Sequence, residues 1–197
     1  MAKYTGYVTL PVDSYASWKA ATNGNGFDFD STYGCQCYDL VAEFWWNVGF
    51  PPGYPIITNT SAYTMWDNRF QNISYGGTEY FDLIDNLSDV KQGDIMVFNF
   101  FSGNPYGHTG FADQDYASWT PDPSEPYEFP ILSENNGGTP DPAGGAYTNV
   151  HGYDTRLFLG AFRFKAWHTT PTGGGKSHFK WVLYARKLNQ MRNRNML

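Results

Sequence analysis

Cys37 stands directly before a stretch with helical apolar spacing that begins near Tyr38. A helix N-terminus there stabilises a thiolate and offers backbone N–H groups to an oxyanion, which is expected to lower the thiol pKa. A cysteine amidase needs that thiolate, a histidine to take its proton, a group that orients the histidine, and oxyanion donors. Gln36 supplies a side-chain amide beside the thiol, and His108 lies between Gly107 and Gly110, where its strand has little steric cover. Glu134 and Asn136, two apart on an extended segment, are expected to point the same way. Each has an ordinary reading alone: an inert buried thiol, a structural imidazole, a loop entry. Cys35 and Cys37, the chain's 2 cysteines, are one residue apart and poorly placed for a disulfide. No HExxH spacing occurs and no histidine is close to them, which argues against zinc. His151, His168 and His178 read as surface residues.

A second constellation overlaps the first. Asp28, Asp30, Thr32, Gly34 and Asp39 fall at positions 1, 3, 5, 7 and 12 of a twelve-residue loop, the spacing by which EF-hand oxygens wrap calcium. Tyr33 stands where such loops carry glycine, and Asp39 replaces the bidentate Glu. Simple turn and capping carboxylates would leave the same pattern.

Helices must come first and a sheet after them. Residues 12–22 follow Pro11 and end at Asn23-Gly24, with Asp13 or Ser14 able to cap, which predicts a short helix. From Tyr38 to Gly49, apolar Leu40, Val41, Phe44, Trp45 and Val48 predict a buried helix stopped by Gly49 and Pro51-Pro52. Residues 61–70 predict a third, with Tyr63, Met65, Trp66 and Phe70 on its apolar side. Beyond residue 93 the pattern is β: Ile95–Phe101, then 107–112 as its hairpin partner, Phe129–Leu132, and Arg156–Trp167. Residues 120–130 hold four prolines and predict a surface loop able to rim or lid a groove. Residues 177–187 read as a hairpin strand, or 179–194 as a cationic helix. The class is α+β, N-terminal helices packed on an antiparallel sheet.

The 197 residues are 41% hydrophobic, 19% aromatic and 16% charged, enough for one domain and a short appendage and too aromatic for a disordered chain. No apolar run has the roughly 18–20 residues a membrane span needs, and no leader pattern is visible. Net charge is −6, unevenly spread. Residues 1–150 carry four Lys/Arg against eighteen Asp/Glu; residues 151–197 carry nine against Asp154. Such a basic end meets a polyanion, or docks on its own acidic body.

The run from Asp28 through Gln36-Cys37-x-Asp39-Leu40 resembles the signature of CHAP domains, the cysteine, histidine-dependent amidohydrolase/peptidases of phage endolysins and bacterial autolysins. Gly93-Asp94-Ile95 with Gly107-His108-Thr109-Gly110 is similar to their histidine strand pair, Glu134-Asn135-Asn136 to their Glu-x-Asn, and Phe158–Arg163 to their closing strand. The likeness spans about residues 12–167, closest to the calcium-binding staphylococcal-phage type. It implies a papain-like fold with Cys37 as nucleophile and His108 as base and then acid. Glu134 would orient His108, Asn136 would polarise it or assist the oxyanion, and Gln36 would line the site. It also implies a calcium ion on Asp28, Asp30 and Asp39, with backbone oxygens of Thr32 and Gly34, or of Tyr33. Cys35 is left a structural role.

The expected protein is a monomeric peptidoglycan hydrolase, a phage lysin of the bacterial cell wall acting as endopeptidase or N-acetylmuramoyl-L-alanine amidase. Residues 1–167 would be the catalytic domain. Residues 168–197 would be a tail whose Lys176, Lys180, Arg186, Lys187, Arg192 and Arg194 bind anionic wall polymers. Nucleic acid is not an expected partner. The enzyme would wait in the host cytoplasm for a holin or lysis, or ride on the virion. The rivals are a non-catalytic wall- or glycan-binding virion protein retaining the fold, and a peptidase of protein substrates.

Overall fold

A computed structural model describes residues 1–168, so the readings for 169–197 lie outside the described residues. Strand β1 (Lys3–Thr5) leads to helix α1 (Tyr15–Thr22). Ser14 caps α1 because its Oγ accepts the Ser17 amide at 3.2 Å, so the helix starts three residues later than its sequence boundary suggests. Strand β2 (Gly26–Asp28) pairs in parallel with β1 and feeds the loop that ends at helix α2 (Cys37–Asn47).

The segment predicted as one helix over 61–70 forms two single turns, α3 (Thr64–Asp67) and α4 (Arg69–Asn72). The break at Asn68 turns Phe70 outward, 67% exposed, with the Arg69 guanidinium 4.6 Å from its ring centre. A two-residue hairpin, β3 (Ser74–Tyr75) and β4 (Thr78–Glu79), precedes the main sheet.

That sheet comprises β5 (Phe81–Ile84), β6 (Ile95–Phe98), β7 (His108–Ala112), β8 (Glu128–Ser133), β9 (Asn149–Asp154) and β10 (Phe158–Phe164). All neighbours are antiparallel, in the order β5-β10-β6-β7-β8-β9. Residues 165–167, expected as the end of a strand, lie in a turn of helix, α5 (Lys165–His168). The architecture is the expected α+β one.

One face of the sheet is filled by α1 and α2. Trp18, Phe44, Trp45, Phe81, Phe111, Phe162 and Phe164 interlock there, Trp45 stacking on Phe81 at 4.3 Å and Phe44 meeting Phe111 edge-on at 5.3 Å. Each such side chain contributes about 1.5–3 kcal/mol of burial free energy. This packing fixes α2 across β7 and therefore fixes where Cys37 ends up. The opposite face holds Val90, Met96, Phe98, Ala112, Phe129, Ile131 and Ala161.

Candidate active site

The N-terminus of α2 and the start of β7 meet at a cavity of about 370 Å³. Cys37 and His108 both line it, with Gln36, Tyr38, Asn135 and Tyr33 on one side. Thr60, Ala62, Asn104, Tyr106 and Gly107 form the other rim. Hence the rim comes from residues 60–62 and 104–107, and the proline-rich stretch at 120–130 takes no part. No lining side chain carries a formal charge in its ordinary state except His108.

Both cysteines are free. Cys37 is half-buried, and desolvation pushes its thiol up to about 12, opposed by the Thr109 and Tyr38 backbone amides. The lowering expected from the helix terminus is thus outweighed by burial. Asp39 and Glu134 add to the rise, because a negative charge nearby disfavours a thiolate. His108 is buried, and desolvation lowers its pKa to about 3. The resting pair is therefore a neutral thiol and a neutral imidazole. Tyr153, on β9, stacks on the imidazole at 4.4 Å and 12°. Its phenol also responds to charge on Cys37, which ties the two groups to one locale.

Gln36 is held from two sides. Its Nε2 donates to the Tyr33 carbonyl at 2.7 Å, and its Oε1 accepts from Asn135 Nδ2 at 2.7 Å. Its backbone amide donates to Asp39 Oδ2 at 2.9 Å, so Asp39 caps the helix that carries Cys37.

The structure brings Cys37, His108 and Gln36 together at one cavity, while the hydrogen bonds of Glu134 and Asn136 go to other groups. Glu134 Oε1 accepts the Phe27 amide at 2.6 Å and the Thr148 hydroxyl at 3.2 Å, and its Oε2 is buried without a hydrogen-bond partner. Burial pushes this carboxyl well above the ordinary range. Asn136 Nδ2 points to the Gly152 carbonyl at 3.4 Å. The neighbours one position earlier face the site: Asn135 bonds Gln36, and Ser133 Oγ lies 3.1 Å from His108 Nε2. Ser133, Asn135 and Tyr153 went unread in the sequence. Alternation along β8 would have separated Ser133 from Glu134, but choosing between them needed the β7–β8 register.

In the loop before α2, Asp30 Oδ1 accepts the Thr32 amide at 2.8 Å. Ser31, Tyr33 and Gly34 take positive φ angles of 60°, 65° and 71°. At Gly34 a Cβ would run into the Gly144 carbonyl, so glycine is required on two counts. Cys35 is buried, its amide donating to Asp141 Oδ2 at 3.2 Å. Lys3 spans Asp28 at 3.3 Å and Asp141 at 2.7 Å.

Among the described residues, no three Asp, Glu, His or Cys side chains form a ready-made metal cluster. Yet Asp28 Oδ1 and Asp39 Oδ1 are buried carboxylate oxygens without hydrogen-bond partners. Burial raises Asp39 to about 8, with the charges of Asp30 and Asp28 adding to the rise. Such oxygens fit a hard cation whose coordination is completed by backbone and water oxygens.

The CHAP domain family matches residues 22–119, and the chain belongs to that family. The chain is 31% identical over 161 residues to a D-alanyl-L-alanine endopeptidase of Streptococcus phage B30, an alignment covering 81% of this chain and 32% of the relative. It thus spans about a third of that relative's length. The crystal structure of the wild-type endolysin LysIME-EF1 superposes with a TM-score of 0.55 at 18% identity, covering 94% of this chain and 87% of that one. That likeness is one of fold.

Proposed function

We propose that the chain is a peptidoglycan hydrolase that cleaves an amide of the wall peptide with Cys37 as nucleophile. The observation that carries this reading is the convergence of Cys37, at the start of α2, and His108, at the start of β7, on one cavity. The similarity to a phage endopeptidase favours a peptide bond over the muramoyl-alanine amide. A cavity whose rim carries no charged side chain suits a short uncharged stretch of peptide.

The neutral resting pair sets the order of events. As the Cys37 sulfur attacks the carbonyl carbon, His108 takes the thiol proton, so charge develops only in the transition state. The oxyanion forms beside the first turn of α2, where backbone amides and the second N–H of the Gln36 amide can receive it. His108 gives the proton to the leaving amine, the C–N bond breaks, and a thioester remains. Water then attacks the thioester, its proton passes to His108 and on to the departing sulfur, and the carboxylate is released.

A calcium ion on the oxygens of Asp28, Asp30 and Asp39 would supply only structure, bracing the loop that leads into Cys37. The charge-rich residues 169–197 would add affinity for anionic wall polymers, and the site of action would be the bacterial wall after lysis or delivery by a virion.

Release of amines from purified peptidoglycan tests the reading. The intact chain should liberate them, and Cys37→Ala should lose about 10⁴-fold or more while keeping its melting temperature. Fragment masses name the bond. Equal release by both proteins would remove Cys37 from the mechanism; no release from walls of several peptide chemistries would point to a wall-binding protein.

A further inference from the structure

Neutral histidine has two tautomers, and the hydrogen bond at one ring nitrogen decides which nitrogen remains free as a base. In this fold Nε2 of His108 lies 3.1 Å from Ser133 Oγ, and both residues are buried. The ladder sets this pairing. Phe111 faces Leu132 and Ala112 faces Ile131, so one further step brings Ser133 opposite Gly110. A Cβ on Gly110 would stand 2.7 Å from Ser133 Cβ, so the bare glycine is what lets the serine lean across to the imidazole. Tyr153 covers the ring face and prevents it from swinging away. Glu134, the next residue, is directed to the Phe27 amide and Thr148.

We propose that Ser133 is the positioning residue of His108, its hydroxyl oxygen accepting the Nε2–H so that Nδ1 is the nitrogen that takes the Cys37 proton. The proposal rests on the hydrolase reading for its catalytic meaning, but not for its structural content. A hydroxyl fixes the tautomer as a carboxylate would, but places no negative charge beside the ring. The imidazolium that forms during attack is then stabilised by the Tyr153 face and not by an ion pair. This agrees with a histidine whose protonation burial alone opposes.

The test uses the full chain with ¹⁵N-labelled histidine. Long-range ¹H–¹⁵N spectra at neutral pH should show His108, assigned by loss of its signals in His108→Gln, as the Nε2–H tautomer. Ser133→Ala should give mixed tautomers and lower kcat by about 10- to 100-fold with KM unchanged, part of the roughly 10²–10⁴ that a positioned base supplies. Ser133→Thr, which keeps the hydroxyl, should restore both readouts. Glu134→Gln should leave the tautomer as it is. An unchanged tautomer and kcat in Ser133→Ala, or a tautomer that follows Glu134→Gln instead, would overturn the proposal. A wild-type chain that releases no amines would sink the hydrolase reading, and the spectra would still decide whether Ser133 holds the ring.

Discussion

The two ends of the segment 28–39 are built on opposite principles. At the cavity end, the groups around His108 are neutral: Ser133 stands at Nε2, Tyr153 covers the ring, and Gln36 is tied to Tyr33 and Asn135. At the loop end, carboxylates crowd together and two buried oxygens, Asp28 Oδ1 and Asp39 Oδ1, have no hydrogen-bond partner. Asp39 belongs to both, since its Oδ2 caps α2 at Gln36 while the charges of Asp30 and Asp28 act on its carboxyl. The cavity end is thus neutral, whereas the crowded carboxylates of the loop end gain from a positive charge. Lys3 supplies part of that charge, at Asp28 and Asp141, and leaves Asp39 uncompensated.

The neutral character of the cavity gives the largest expected effect. With the thiol pushed up to about 12, its thiolate fraction grows about tenfold per pH unit. Alkylation of Cys37 by iodoacetamide, read by peptide mass spectrometry, should therefore climb about a thousandfold from pH 7 to pH 10. A flat rate from pH 7 upward would reveal a resting thiolate–imidazolium pair and abolish the contrast with the loop.

The carboxylate-rich loop gives the next effect. A ligand at 100 times its Kd stabilises by about 2.7 kcal/mol, and for a chain of this size roughly 2–4 °C accompany each kcal/mol. Millimolar calcium should raise Tm by about 5–10 °C over EGTA, and Asp28→Asn should remove most of that gain. Identical melting curves in calcium and EGTA would show that Lys3 and protons suffice.

How far the sequence reached follows the same division. The α2 helix was legible because Leu40, Val41, Phe44, Trp45 and Val48 keep one face apolar and Gly49 with the prolines must end it; it runs Cys37–Asn47. The β6–β7 hairpin was legible from its apolar runs, though β6 ends at Phe98, earlier than the run suggests. Strand β9 was not, because Asn149–Asp154 mixes glycine, histidine and half-buried polar residues with no alternation strong enough to see. Cys37, Gln36 and His108 were found because their local settings are distinctive. Ser133 and Asn135 were missed by one residue each, and one residue is a whole face of a strand. The register that decides it is set by packing across the sheet, which no local pattern carries. The break at Asn68 is of the same kind: Phe70 fits an apolar stripe, and tertiary contacts place it in solvent.

The smallest effect comes from Asp39 itself, and its sign distinguishes the two ends most directly. The ordinary value of this carboxyl is 3.8, and burial beside Asp30 and Asp28 raises it to about 8. Between those values the folded chain keeps a proton that the unfolded chain has released, so raising the pH favours unfolding. In EGTA, Tm should fall by a few degrees from pH 5 to pH 8. Glu43, raised by burial to about 7, and Glu134, also raised by burial, contribute to the same slope, while His108, lowered by burial, opposes it below its ordinary value of 6.5. Asp39→Asn removes the Asp39 share only, so its curve should be flatter but not level. Calcium should flatten the wild-type curve in the same way, since a cation on the oxygens keeps the carboxylate charged in the folded state. A wild-type Tm that rises from pH 6.5 to pH 8, above the range where His108 contributes, would mean that Asp39 is already ionised and paired.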